Sequence, residues 1–285
     1  MTPSKALVVG GTSGIGRGIA ELLATKGCSV TIAGRNEAMG AQIVSELTSL
    51  TPATAAAAGA THSFHRVDGF DMSSVRSLAD AHAAEGLDYL VLTQGMATLQ
   101  GYTPTADQLD QKLQLAVFSR VVLAQVLAPT LARSGVEGGG KCLTVLSAGV
   151  HGTYPHWKKD PYLSEGSYSI KNAADASGLY NDVYCDALAR SHPTVNFTHA
   201  APGFVNTNWG SEMPLLVRWL IRPLQLLGKS RQDCAATLGT AWLAQGPGFR
   251  LLDQAGKPAA ATPIHSEVMA SEWWAGCQSR LSQWL

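Results

Sequence analysis

Net charge is the first thing this chain lacks: Lys+Arg and Asp+Glu number 21 each over 285 residues. With no basic excess, no nucleic-acid partner is expected. Charged residues make up only 15% of the chain and hydrophobic ones 46%, a balance that excludes disorder and supports a packed core. Cysteine is scarce and scattered. Cys28, Cys142, Cys185, Cys234 and Cys277 form no CxxC pair and no His–Cys cluster. That argues against structural zinc, and their odd number fits a reduced, cytoplasmic protein. No uncharged apolar run reaches spanning length, so membrane contact is not the expected mode. The start, MTPSKALVVGG, runs almost at once into an apolar strand, with no signal or transit peptide expected. Linkers and repeats are missing too, so 1–285 reads as one domain.

What the chain does have is alternation. KALVVG at 5–10 is a continuous apolar run, as expected for a strand buried on both faces. Helical and strand patterns then follow in turn. Strands are expected at 28–33, 62–67, 88–93, 141–147, 194–199 and 249–252. Helices are expected at 14–26, 36–50, 73–84, 107–133 and from about 168 to 190, with the Ala-rich 51–61 as a surface loop. Repeated βα units with short joins imply an α/β fold: a doubly wound parallel sheet of about seven strands with helices on both faces.

The first strand runs into Gly10, Gly11, Thr12, Ser13, Gly14, Ile15 and Gly16, and then a helix. Glycines allow a tight turn and close approach to a pyrophosphate, while the helix start offers free N–H groups and a positive dipole end. The second strand lacks an acidic residue at its end, where one would bind the adenosine ribose hydroxyls. Gly34, Arg35 and Asn36 stand there, with Arg17 just after the glycine turn. Two guanidinium groups near the 2′ position favour a 2′-phosphate, hence NADP(H) over NAD.

GGTSGIG at 10–16, Asp71-Met72, LDYLVLTQG at 87–95, VLSAG at 145–149 and APGFVNT at 201–207 resemble the short-chain dehydrogenase/reductase family over roughly residues 5–252. The resemblance implies a Rossmann-type sheet and reduction of carbonyls, or oxidation of alcohols, with NAD(P). It also implies that Asp71 and Met72 flank the adenine and that Gln94 and Gly95 pass the adenosine ribose. Pro202, Gly203, Val205 and Thr207 would hold the nicotinamide end.

The family's chemistry uses a tyrosine as general acid or base, a lysine that lowers its pKa and holds the nicotinamide ribose, a serine that orients the carbonyl, and an asparagine that supports a water relay. Ser147 matches the serine. Ala116 stands in the asparagine's place. No YxxxK exists in the chain: Tyr168 has Lys171 three residues on and Asn172 four on. Spacings of three and four share a helix face. One reading therefore makes Tyr168 and Lys171 a displaced dyad, with 155–164 as an insertion. The competing alignment has no slack and puts Ala174 and Gly178 at the dyad positions, leaving His151, Asn172, Asp175 and Tyr180 around the pocket.

The segment MPLLVRWLIRPLQLL at 213–227 lies within a lid expected at 208–230. Its apolar character implies a lipophilic small-molecule substrate, or else a docking face for a partner or a membrane surface. The extension at 254–285 carries three of the seven tryptophans, suited to packing over the sheet or to a subunit contact in a homo-oligomer. Two functions from different classes result. One is an NADPH-dependent reductase of a lipophilic carbonyl. The other is a protein that binds NADP without redox turnover.

Overall fold

The computed structural model describes residues 2–206 and 228–285. Seven strands form one sheet: β1 (Lys5–Val9), β2 (Ser29–Gly34), β3 (His62–Arg66), β4 (Tyr89–Leu92), β5 (Lys141–Val145), β6 (Asn196–Ala200) and β7 (Gly248–Leu252). The order is β3-β2-β1-β4-β5-β6-β7 and every pairing is parallel. Among the described residues the helices are α1 (Gly14–Thr25), α2 (Glu37–Leu50), α3 (Ala53–Ala57), α4 (Met72–Glu85), α5 (Gln111–Leu113), α6 (Ser119–Ala132), α7 (Ile170–Ser191), α8 (Arg231–Leu243), α9 (His265–Met269) and α10 (Trp273–Arg280).

Side chains alternate across a strand, so each strand feeds two cores. Leu7 and Val9 of β1 join Leu90 and Leu92 of β4 on the face covered by α4, α6, α7 and α10. Ala6, Val8 and Val91 join Ile19 and Leu23 of α1 and Trp242 of α8 on the other. With both faces buried the strands read as unbroken apolar runs, which is how β1 is legible at all.

Three details differ from the sequence expectations. The loop expected at 51–61 contains the one-turn α3. The helix expected from 107 begins at Gln111, and Gln114–Phe118 between α5 and α6 is a π-turn. The helix expected from about 168 starts at Ile170, because the Ser169 hydroxyl accepts the Asn172 N–H and caps it. Gln111–Ala132 is long and apolar enough by composition to cross a membrane, but 72% of its apolar window is buried inside the protein, as in a core helix.

The strand order reverses between β1 and β4. In such sheets ligands bind in the crevice outside the carboxyl ends of the strands at this switch point. A cleft of ≈ 820 Å³ lies there.

Candidate active site

The cleft floor is the turn after β1. Gly10 has φ +83, and a Cβ on it would come within 2.6 Å of Thr93 Oγ1. A Cβ on Gly16 would sit 2.5 Å from the Gly10 carbonyl. Neither Gly10 nor Gly16 therefore tolerates a side chain, which keeps the backbone of the turn open to close approach. Ser13 caps α1 with extended dihedrals and makes no side-chain cap bond, which leaves its hydroxyl available to an anion beside the helix start. Gly10, Thr12, Ser13, Gly14, Ile15 and Gly16 all line the cleft.

At the adenosine end four residues expected to bind, Arg17, Asn36, Asp71 and Met72, do not line the cleft. Arg35 lines the cleft, its guanidinium 5.6 Å from the Phe70 ring centroid. Arg17 does not line it: its guanidinium pairs with Glu21 at 2.9 Å and with Glu46. Two carboxylates already satisfy that charge. Asp71 and Met72 do not line the cleft either. Asp71 is the N-cap of α4, accepting the Ser73 and Ser74 N–H groups, and Met72 is wholly buried in the core. Asp68, Gly69 and Phe70, which precede them, line the cleft instead. Asn36 also lies outside it and caps α2 through the Met39 N–H.

Gln94 and Gly95 line the far side, as do Pro202, Gly203 and Val205 after β6; Thr207 lies outside the described residues, as does 213–227. The Gln94 side chain donates to Ser119 at 3.2 Å, and its buried Oε1 has no partner among the described residues. The Gln94 carbonyl accepts from Arg120, which is wholly buried and also donates to Thr144 and to the Val145 carbonyl. Burial, with no carboxylate alongside, lowers the Arg120 pKa to about 10.

Ser147 follows β5. Its amide donates to His199 Nε2 at 3.0 Å, its carbonyl accepts from Val150 and His151, and its buried hydroxyl has no partner among the described residues. Ala116 lies in the π-turn, and its carbonyl accepts from Asn181 Nδ2 at 2.8 Å. A side-chain amide thus reaches the asparagine's expected place from α7.

Tyr168 and Lys171 are not brought together. Lys171 sits in the first turn of α7 with 77% of its side chain exposed and pairs with Asp175 at 2.5 Å. The half-buried Tyr168 instead meets Lys112 from α5: Lys112 Nζ donates to Tyr168 Oη at 2.5 Å and to the Gln100 carbonyl at 2.7 Å. Gln100 and Gln111 beside them line the cleft. Burial, then the Asp110 carboxylate, push the Tyr168 phenol up to about 12, while burial moves Lys112 below its usual value. The other candidates have structural partners. Tyr180 Oη donates to the Pro161 carbonyl and its ring stacks on Trp273, Asn172 binds the Ser167 carbonyl, and Asp175 accepts the Gly152 N–H. Lys112, Asp68 and His199 escaped the sequence reading because no local pattern marks them.

Residues 4–214 match the short chain dehydrogenase family, and the chain belongs to it. An oxidoreductase of Emericella nidulans is 32% identical over 71% of this chain, and the chain spans 59% of that relative's own length. A polyprenol dehydrogenase of Mus musculus is 29% identical over 95% of the chain and 82% of its own length. Among solved structures, a Mycobacterium paratuberculosis protein shares the fold with TM-score 0.67 at 21% identity, over 99% of this chain and 96% of its own. A Shigella flexneri short chain dehydrogenase solved with NADP gives TM-score 0.64 at 21% identity, over 89% and 98%.

Proposed function

We propose that the protein is an NADPH-dependent oxidoreductase that interconverts a carbonyl and an alcohol on a lipophilic small molecule. The observation that carries this is the pairing of a glycine turn, crowded out of side chains at Gly10 and Gly16, with a Ser147 hydroxyl that has no partner among the described residues, at the carboxyl edge of the next-but-one strand. The glycine turn and the start of α1 hold the pyrophosphate, and Arg35 takes the 2′-phosphate. When bound, the nicotinamide supplies or accepts the hydride. Ser147 donates to the substrate oxygen. Tyr168, protonated throughout the neutral range, supplies the proton that the oxygen needs on reduction, with Lys112 as its neighbour.

Lipophilicity is supported by exposed apolar side chains near these residues: Leu99, Tyr102, Val150 (72% exposed), Ile170 and Phe204. The apolar lid expected at 208–230 and the names of the polyprenol dehydrogenases of mouse and Homo sapiens point the same way. Five free buried thiols suit a cytoplasmic setting.

NADPH titration by fluorescence, followed by NADPH consumption with isoprenoid aldehydes and ketones, tests the reading. Turnover is expected, and Ser147→Ala or Tyr168→Phe should lower it by at least ~10²-fold with NADPH affinity intact. Tight NADPH binding with no turnover on any carbonyl would favour the second reading, a nucleotide-binding protein without redox chemistry. The separation of Lys171 from Tyr168 is the observation on that side.

A further inference from the structure

We propose that a buried His151–Asp182–His199 array, carrying a proton held on both nitrogens of His151, positions Ser147 for the carbonyl chemistry; the inference rests on the functional reading above. These are positioning residues.

The hydrogen-bond partners settle the protonation. His199 Nε2 accepts the Ser147 N–H at 3.0 Å, so that nitrogen carries a lone pair. The ring hydrogen is then on Nδ1, which donates to Asp182 Oδ1 at 2.6 Å. His151 differs. Its Nε2 faces Asp182 Oδ2 at 2.9 Å and its Nδ1 faces the Gly152 carbonyl at 3.1 Å. A carbonyl cannot donate, and Asp182 is the anion: burial opposes its charge, but its bonds to the two histidines outweigh burial and hold its pKa below the usual carboxylate value. Both His151 nitrogens must therefore carry hydrogen, which makes the ring an imidazolium paired with Asp182.

Burial makes this pairing decisive. The side chains of His151, Asp182 and His199 are 1%, 0% and 0% exposed. A buried charge that loses its partner is strongly disfavoured. Burial opposes charge on His151, but the bonds to Asp182 and the nearby Asp175 outweigh it and raise its pKa, whereas burial keeps His199 below its usual value.

Among the described residues, few other groups face the array. From α7 come Asp175, paired with Lys171, and the Cys185 thiol, which burial keeps protonated. Arg120 faces His199 from α6.

The array reaches Ser147 directly through His199, which holds its amide, and along the chain at His151, whose backbone N–H donates to the Ser147 carbonyl at 3.2 Å. The hydroxyl is the polar group of Ser147 left open. Gly178 shows how tightly the ring is seated, because a Cβ there would lie 2.4 Å from His151 Cγ. On the alignment that assigns Gly178 to the family's lysine position, the positive charge beside that position now comes from the loop after β5 rather than from α7. Loss of the His151 ring proton at high pH would free one of its two ring bonds, to Asp182 or to the Gly152 carbonyl, slacken the turn that follows Ser147 and slow carbonyl reduction. Cofactor binding, at the glycine end, would be unaffected.

Imidazole ¹⁵N NMR of the full chain tests the array without any substrate, so a failure of the redox reading does not decide it. His151 is expected with both nitrogens protonated at neutral pH and His199 with hydrogen on Nδ1 alone. A single protonated nitrogen on His151 at neutral pH overturns the proposal. The functional half is read from the pH profile of kcat/KM for carbonyl reduction. Wild type should lose activity on its alkaline limb. His151→Gln should lose up to ~10²-fold across the range with NADPH affinity intact, and His151→Lys should restore activity and flatten that limb. A His151→Gln profile matching wild type overturns the role assigned to the array.

Discussion

Arg17 and Arg35 look alike as candidates for a 2′-phosphate until their partners are compared. Arg17 is half-buried against Glu21 and Glu46, and moving it to a ligand would break both pairs. Arg35 is exposed at the cleft beside Phe70. A charge-assisted bond to phosphate contributes about 1.5–3 kcal/mol, so Arg35→Ala should weaken NADPH binding by roughly 10- to 100-fold while leaving NADH nearly unchanged. Arg17→Ala should instead lower the denaturation midpoint and keep the preference for NADPH. Parallel titrations of both variants check this, and an equal loss of preference in Arg17→Ala would contradict the assignment.

At the scale of the element, α4 shows how a helix start decides a binding residue. Asp71 accepts two N–H groups of the first turn and the Ser73 hydroxyl, and those bonds lower its pKa, led by the Ser73 hydroxyl. The capping role pulls Asp71 out of the cleft and leaves Asp68–Phe70 as its wall. Asp71→Ala should cost about 1 kcal/mol of stability, as other lost caps do, without a change in NADPH affinity. Urea denaturation and cofactor titration of the same variant separate the two roles; a weakened cofactor with unchanged stability would return Asp71 to the adenine. The same logic applies to α7. With Ser169 as cap, Lys171 falls in the first turn and faces outward toward Asp175, while Asn181, about three turns on, faces the π-turn of the neighbouring helix run.

Across the whole molecule, all five thiols are buried, spread over both faces of the sheet. Burial raises Cys28 and Cys234 to about 11 and Cys142 and Cys277 to about 12, from 9.0. With folded values above unfolded ones, this contribution is fully present below pH 9.0 and is lost as pH rises through the folded values. The denaturation midpoint should therefore fall on titration above that pH. A thiol reagent should label no cysteine in the native protein at neutral pH and all five after unfolding. Rapid native labelling of any thiol would show that its cover opens.

The strand–helix alternation, the glycine turn on β1, the serine at the end of β5 and the proline–glycine turn after β6 were all legible in the sequence. Each is a property of contiguous residues: apolar runs for strands buried on both faces, and backbone conformations that only particular residues adopt. The side of a helix that a residue faces was not legible, because it depends on where the cap sets the first turn. Ser169 and Asp71 decided that for Lys171 and Met72. Nor were partners from distant elements. Lys112 meets Tyr168 across 56 positions and His199 meets Ser147 across 52, and no periodicity links them. Only the packing of α5 against α7, and of β5 beside β6, brings those atoms within bonding distance, since buried polar groups take whichever partner the fold places in reach.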